Sequence, residues 1–184
     1  ALAWRTPFLE QRTLDLGELA IVAVAGAFVG FLFGGRVSYV YKNLKSIPRA
    51  LFVAVLLLIA FSEVSPIPWS WLLPLIGLII SCAWAIRRGW FGAVCAGIGG
   101  TCNELVRAVN GGRMPIDIQG LPASLRSAYA ADAQHSTVYV VASSHSHPVW
   151  LGDRFHVALF GLVSVGDLLI YLGAIWLIAA LMRQ

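Results

Sequence analysis

Five apolar segments decide what this chain can become. Residues 16–35, 48–65, 69–86, 89–109 and 164–182 are each a run of mostly uncharged side chains, and a helix needs roughly 17–25 such residues to cross a bilayer. Between the fourth and fifth lies the only long hydrophilic stretch, opened by a polar hinge that runs from Cys102 through Asn110-Gly111-Gly112-Arg113-Met114 to Pro115. Hydrophobic residues make up 59% of the 184 and charged residues 12%, against about 45–50% and 25% in soluble proteins. A water-soluble fold of this length has too little interior to hide that much apolar surface. The expected fold is therefore all-α, a polytopic membrane helix bundle of about five transmembrane helices with a mostly irregular extracytoplasmic loop.

The placement of Lys and Arg sets the expected orientation. Arg36, Lys42, Lys45 and Arg49 lie between the first two segments, Arg87 and Arg88 between the third and fourth, and Arg183 after the fifth. The linker Pro66-Ile67-Pro68 carries none. This pattern predicts a bacterial plasma-membrane protein with the N-terminus outside and the C-terminus cytoplasmic. One membrane domain then fills residues 1–184: an N-terminal extension over 1–15, four spans over 16–109, the extracytoplasmic loop over 110–163 and the last span over 164–184. In the loop, residues 122–133 read as a short surface helix with Pro122 in its first turn, and residues 136–142 as a β-branched extended segment. Residues 155–163 are apolar but too short to span. The net charge of +4 belongs to membrane-flanking loops and gives no nucleic-acid signal. Cys82, Cys95 and Cys102 all fall in apolar segments without metal or disulfide spacing and read as small buried hydrophobes.

Gly26, Gly30 and Gly34, four apart, mark a face where another helix backbone can approach closely; the partner helix can be internal or belong to another subunit. Ala96 and Gly100 mark a second packing face on the fourth segment. Asn103, Arg107 and Asn110 follow at spacings of four and three, on one helix face, with Arg113 just beyond. As a polar cluster they read as structural glue at the outer membrane edge or as a binding site. Ser164-Val165-Gly166-Asp167 matches a helix-capping pattern. The rival reading pairs Asp167 with Asp153 as a catalytic dyad, since two carboxylates sharing a proton can activate water. His145, His147 and His156 are weak metal candidates, because an H-x-H pair can offer two imidazoles to one ion; solvated loop histidines are the plainer reading, and no metal is assigned.

From Gly34 onward the chain resembles a family of small bacterial integral-membrane proteins known only as a domain of unknown function. The resemblance rests on Gly34-Gly35-Arg36, on Asn103 ahead of Asn110-Gly111-Gly112-Arg113-Met114-Pro115, on Leu151-Gly152-Asp153 and on Ser164-Val165-Gly166-Asp167. The N-terminal extension departs from the family pattern, and the histidine cluster is not part of it. The resemblance brings no established activity. It implies one polar group at the outer face built from Asn103, Asn110, Arg113, Asp153 and Asp167. The leading functional expectation is a non-catalytic accessory or scaffold subunit of a larger membrane complex, such as a respiratory or photosynthetic one, with membrane lipids and other membrane subunits as partners. The alternatives are a membrane enzyme using Asp153 and Asp167, and a lipid- or small-ligand-binding protein using Arg107 and Arg113. No cofactor can be named from the sequence.

Overall fold

The computed structural model describes residues 16–45, 48, 53, 54, 57 and 72–183. The second apolar segment and the Pro66-Ile67-Pro68 linker lie almost wholly outside the described residues. Six α-helices are present among the described residues: α1 (Leu16–Leu32), α2 (Val37–Leu44), α3 (Leu72–Arg87), α4 (Phe91–Val109), α5 (Ala123–His135) and α6 (Val165–Leu181). The protein is predominantly helical, with four short strands confined to the stretch between α4 and α6. No single described helix is long and apolar enough to cross a membrane. At 17 residues, α1 and α6 reach about 25 Å, just short of a hydrocarbon core about 30 Å thick. Among the described residues only the pair Gly17–Leu32 and Val37–Leu44, bent by 112°, has the necessary length and composition together.

The chain divides into two compact units. One is Leu105–Val165 with the chain up to Ala20; the other is Ile21–Glu104 with Gly166–Gln184. In the second unit, α1 and α6 pack through glycines: a Cβ built on Gly26 would lie 2.8 Å from that of Ile178, and one on Gly30 would lie 3.3 Å from that of Met182. Gly34 has a different place. It sits beyond the end of α1 at φ +77° with open space around its Cβ position, and the Gly35 N–H donates back to the Gly30 carbonyl at 2.9 Å. This is a left-handed helix stop, where a side chain would be strained, so Gly34 turns the chain instead of packing it. The Arg36 N–H then donates to the Met182 carbonyl at 2.7 Å, and the Asn43 side chain donates to the Leu181 carbonyl at 2.8 Å. The C-terminal end of α6, whose last carbonyls have no partners within the helix, is thereby capped by residues 36–43. α3 and α4 form an antiparallel pair around Gly97, whose Cβ position abuts Cys82 Sγ. The Ser81 and Thr101 hydroxyls donate to carbonyls of their own helices, both at 2.8 Å.

The first unit holds order where the sequence reading expects a mostly irregular loop. β1 (Met114–Ile116) pairs in parallel with β2 (Tyr139–Val141), and α5 forms the crossover between them. β3 (Phe155–Val157) and β4 (Gly161–Val163) make an antiparallel hairpin, so the apolar residues 155–163 fold back on themselves. Val106, Met114, Ile116, Ile118, Leu121, Tyr129, Tyr139 and Leu162 form a buried cluster. Burial of large apolar side chains at about 25 cal/mol per Å2 explains why so short a segment orders itself.

Candidate functional site

The seam between α4 and α6 is the best-defined arrangement in the helical unit. Two glycines seven residues apart on each helix face one another. A Cβ on Gly92 or Gly173 would lie 2.5 Å from the other's carbonyl oxygen, and one on Gly99 would meet the Gly166 carbonyl. Ala96 lies against Gly173, whose Cβ would be 2.5 Å from the Ala96 nitrogen. Glycine at these positions lets the two backbones touch, which maximises dispersion contact between them. Gly100 is looser, 3.6 Å from Leu78, and serves the α3 side instead.

At the far end of this seam the Asn103 amide donates to Asp167 Oδ1 at 2.8 Å. Both residues are half-buried. Gly166 makes the pair possible, because a Cβ there would collide with the Asn103 carboxamide. The Gly-Asp step that opens α6 therefore has a joint purpose: Gly166 clears the path and Asp167 receives the bond. A carboxylate in the first helical turn also suits the positive helix end. Replacing Asp167 with asparagine keeps an acceptor oxygen and removes the charge, so the folded unit should weaken by only about 1 kcal/mol, whereas Asn103→Leu removes the donor altogether and should cost about 2 kcal/mol. Thermal stability of the detergent-solubilised variants measures both, and equal losses would argue against this bond.

Arg107, Asn110 and Arg113 of the hinge belong to the α/β unit and have separate duties. The Asn110 side chain donates to the Val106 carbonyl at 2.7 Å and to the His147 carbonyl at 2.6 Å, and its Oδ1 accepts from the His147 N–H at 3.1 Å. Arg107 Nε donates to the Gly112 carbonyl at 3.3 Å, closing the turn in which Gly111 adopts φ +68°. Arg113 Nη2 faces three carbonyls, those of Ala133 (3.2 Å), Ser136 (2.7 Å) and Tyr139 (2.6 Å). A cation at the end of α5 satisfies carbonyls that the helix leaves open and ties that end to β2. These bonds tie both arginine side chains to carbonyls of their own unit.

Asp153 is buried at 1% exposure. Its N–H donates to the Pro115 carbonyl at 3.0 Å, and its carbonyl accepts from the Asp117 N–H at 2.7 Å, so its backbone continues the β1 ladder. Asp153 and Asp167 fall in different units, and each is held by neighbours of its own. His145, His147 and His156 are exposed, and among the described residues no group of three His, Cys, Asp or Glu side chains is placed to hold a metal ion. The glycines at 92, 99, 166 and 173 were not among the expected packing residues. Their seven-residue spacing on both helices was the available signal.

The model of a family of unknown function, DUF5317, matches residues 66–179. The chain belongs to this family. The DUF5317 match takes in α3, α4, the α/β unit and most of α6, and with them the hinge, Leu151-Gly152-Asp153 and Ser164-Val165-Gly166-Asp167. Gly34-Gly35-Arg36 precedes it. No curated protein and no solved structure matches the chain.

Proposed function

We propose that this DUF5317 protein is an integral membrane protein that acts without catalysis, as an accessory or scaffold subunit presenting an ordered α/β unit to a larger membrane assembly. One observation carries the membrane reading: the two units are packed in opposite senses. In the α/β unit, large apolar side chains are inside, with Ile116 at 0% and Leu162 at 2% exposure. In the helical unit the buried positions among the described residues are mostly small, Gly26, Gly30, Gly35, Gly77, Ala85, Gly92, Gly97, Gly99, Gly166, Gly173 and Ala179 beside Val22, Leu181 and Met182, while Val24, Phe28, Ile79, Phe91, Leu172 and Trp176 point outward, each more than 60% exposed. An interior of mainly small residues with large apolar residues outside suits helices whose solvent is lipid. Helices of 17 residues sit at the short edge of a span, which bilayers accommodate by local thinning and by snorkelling of flanking residues. The contacts of α1, α4 and α6 bring Arg36, Lys42, Lys45, Arg87, Arg88 and Arg183 to one end of the helical unit, which the positive-inside tendency assigns to the cytoplasm.

The scaffold reading draws on the surface of the α/β unit. Trp150, Phe155 and Leu159 are exposed at 60%, 42% and 71%, within ten positions of one another on a short helical turn and the following hairpin. Large apolar groups left exposed on a folded unit suit a contact surface. Purification from native membranes in mild detergent, followed by mass spectrometry, should recover stoichiometric companion subunits. The double variant Trp150→Ser, Leu159→Ser should lose them while resisting alkaline extraction from membranes. A wild-type protein that purifies alone would end the scaffold reading, and one that alkali extracts would end the membrane reading.

A further inference from the structure

We propose that the basic end of the helical unit carries a binding site for an anionic phospholipid, its acyl chain lying in a groove between α1, α4 and α6 and its phosphate meeting Arg183. The inference rests on the membrane reading above. The groove encloses about 660 Å3, within the range of about 300–1,000 Å3 usual for small-molecule sites. Its origin is the glycine seam. Gly92 and Gly173 draw α4 onto α6, and the bulky neighbours Val29, Phe33, Phe91 and Trp176 then stand around a recess that no described side chain fills.

Charge identifies the occupant. Among the described residues Arg183 is the one ionised side chain lining the groove, and its guanidinium rests over the Phe33 ring at 4.4 Å from the centroid. That contact holds the cation beside apolar walls while leaving the side chain exposed. Arg36 adjoins it, through the bond from its N–H to the Met182 carbonyl at 2.7 Å. Among the described residues of this unit the acids are Glu104 and Asp167, at the opposite ends of α4 and α6. An elongated apolar recess that ends at a cation, at the basic end of the bundle, is complementary to an amphiphile with a single anionic head. Basic pockets between helices on the cytoplasmic side bind lipid phosphates in this way. A second apolar helix would fill the recess but would offer nothing to Arg183.

The test uses the full chain reconstituted in phosphatidylcholine vesicles that contain a minor fraction of either dibrominated phosphatidylglycerol or dibrominated phosphatidylcholine. Bromine quenches nearby tryptophan, and Trp176 lines the groove. The wild type should be quenched more strongly by the anionic lipid, and Trp176→Phe should remove that excess. Arg183→Gln should weaken the preference about fivefold, and Ala180→Phe, which fills the recess, should abolish it. Equal quenching by both lipids, or an excess that survives Ala180→Phe, would overturn the site. So would a concentration-dependent dimer in cross-linking whose formation blocks quenching. Alkaline washing separates the two levels of failure: a chain released from the vesicles sinks the membrane reading itself, and a retained chain without headgroup preference sinks the lipid site alone.

Discussion

Replacing Gly99 with leucine should strongly destabilise the helical unit. The obstacle it meets is backbone: a Cβ at this position already abuts the Gly166 carbonyl and lies 3.0 Å from the Ile170 nitrogen. Neither atom can move without separating α4 from α6 along the whole seam. Overpacking costs about 1–3 kcal/mol where side chains can adjust, so this site belongs at about 3 kcal/mol, a large part of the roughly 5–15 kcal/mol that holds a folded protein together. The temperature at which the solubilised protein loses a single symmetric elution peak should fall by about 6–12 °C. Gly120→Ala is the control, because the space around that position is open. If both variants melt alike, the two helices do not meet through these glycines.

The second large effect is expected at Arg113. One nitrogen of its guanidinium serves the carbonyls of Ala133, Ser136 and Tyr139, one N–H being shared between two of them. Arg113→Met keeps the length of the side chain and leaves those oxygens without their cation. With hydrogen bonds to charged groups at about 1.5–3 kcal/mol each, opening of the end of α5 should become easier by about 3 kcal/mol. In reconstituted protein, cleavage by proteinase K within residues 110–163 should then quicken about 100-fold. Arg113→Lys should fall between, since an ammonium is a point charge without the fork. Unaltered protection in Arg113→Met would show that the α/β unit is held elsewhere.

These two residues illustrate unequal legibility. The apolar runs announced α1, α3, α4 and α6, because a helix that is apolar all round leaves a long uninterrupted record. Pro122 and the β-branched run before Ala142 announced α5 and β2 for local reasons. β1 left no such record. It is three residues long with Pro115 at its centre, a residue that normally argues against a strand, and it persists because the Pro115 carbonyl accepts from the Asp153 N–H across 38 positions of sequence. The hairpin of β3 and β4 lacks the alternation that marks a half-buried strand. At the site, the glycine pattern of α1 foretold close approach but not its partner, since a bare backbone face fits many helices. That partner is α6, through Ile178 and Met182. Within the group of Asn103, Asn110, Arg113, Asp153 and Asp167 implied by resemblance, the Asn103 side chain meets that of Asp167. Which polar residues meet depends on where the chain returns, and only tertiary packing decides that.

The cap on the last helix has a consequence for biosynthesis. The Asn43 side chain that holds the Leu181 carbonyl is 138 residues distant from it, and at translation rates of about 5–20 residues per second that interval lasts roughly 7–28 s. On the membrane reading, α1 enters the bilayer long before the helix that covers its glycines has been made. Throughout that interval the bare face is open to whatever else is in the insertion machinery, so the nascent protein has an obligatory client phase that the finished one has lost. Ribosome-arrested chains ending before Val165, with a photo-cross-linker at Gly30, should label a neighbouring membrane protein, and chains carried past Arg183 should not. Equal labelling at both lengths would place the closure of this face elsewhere in the protein's life.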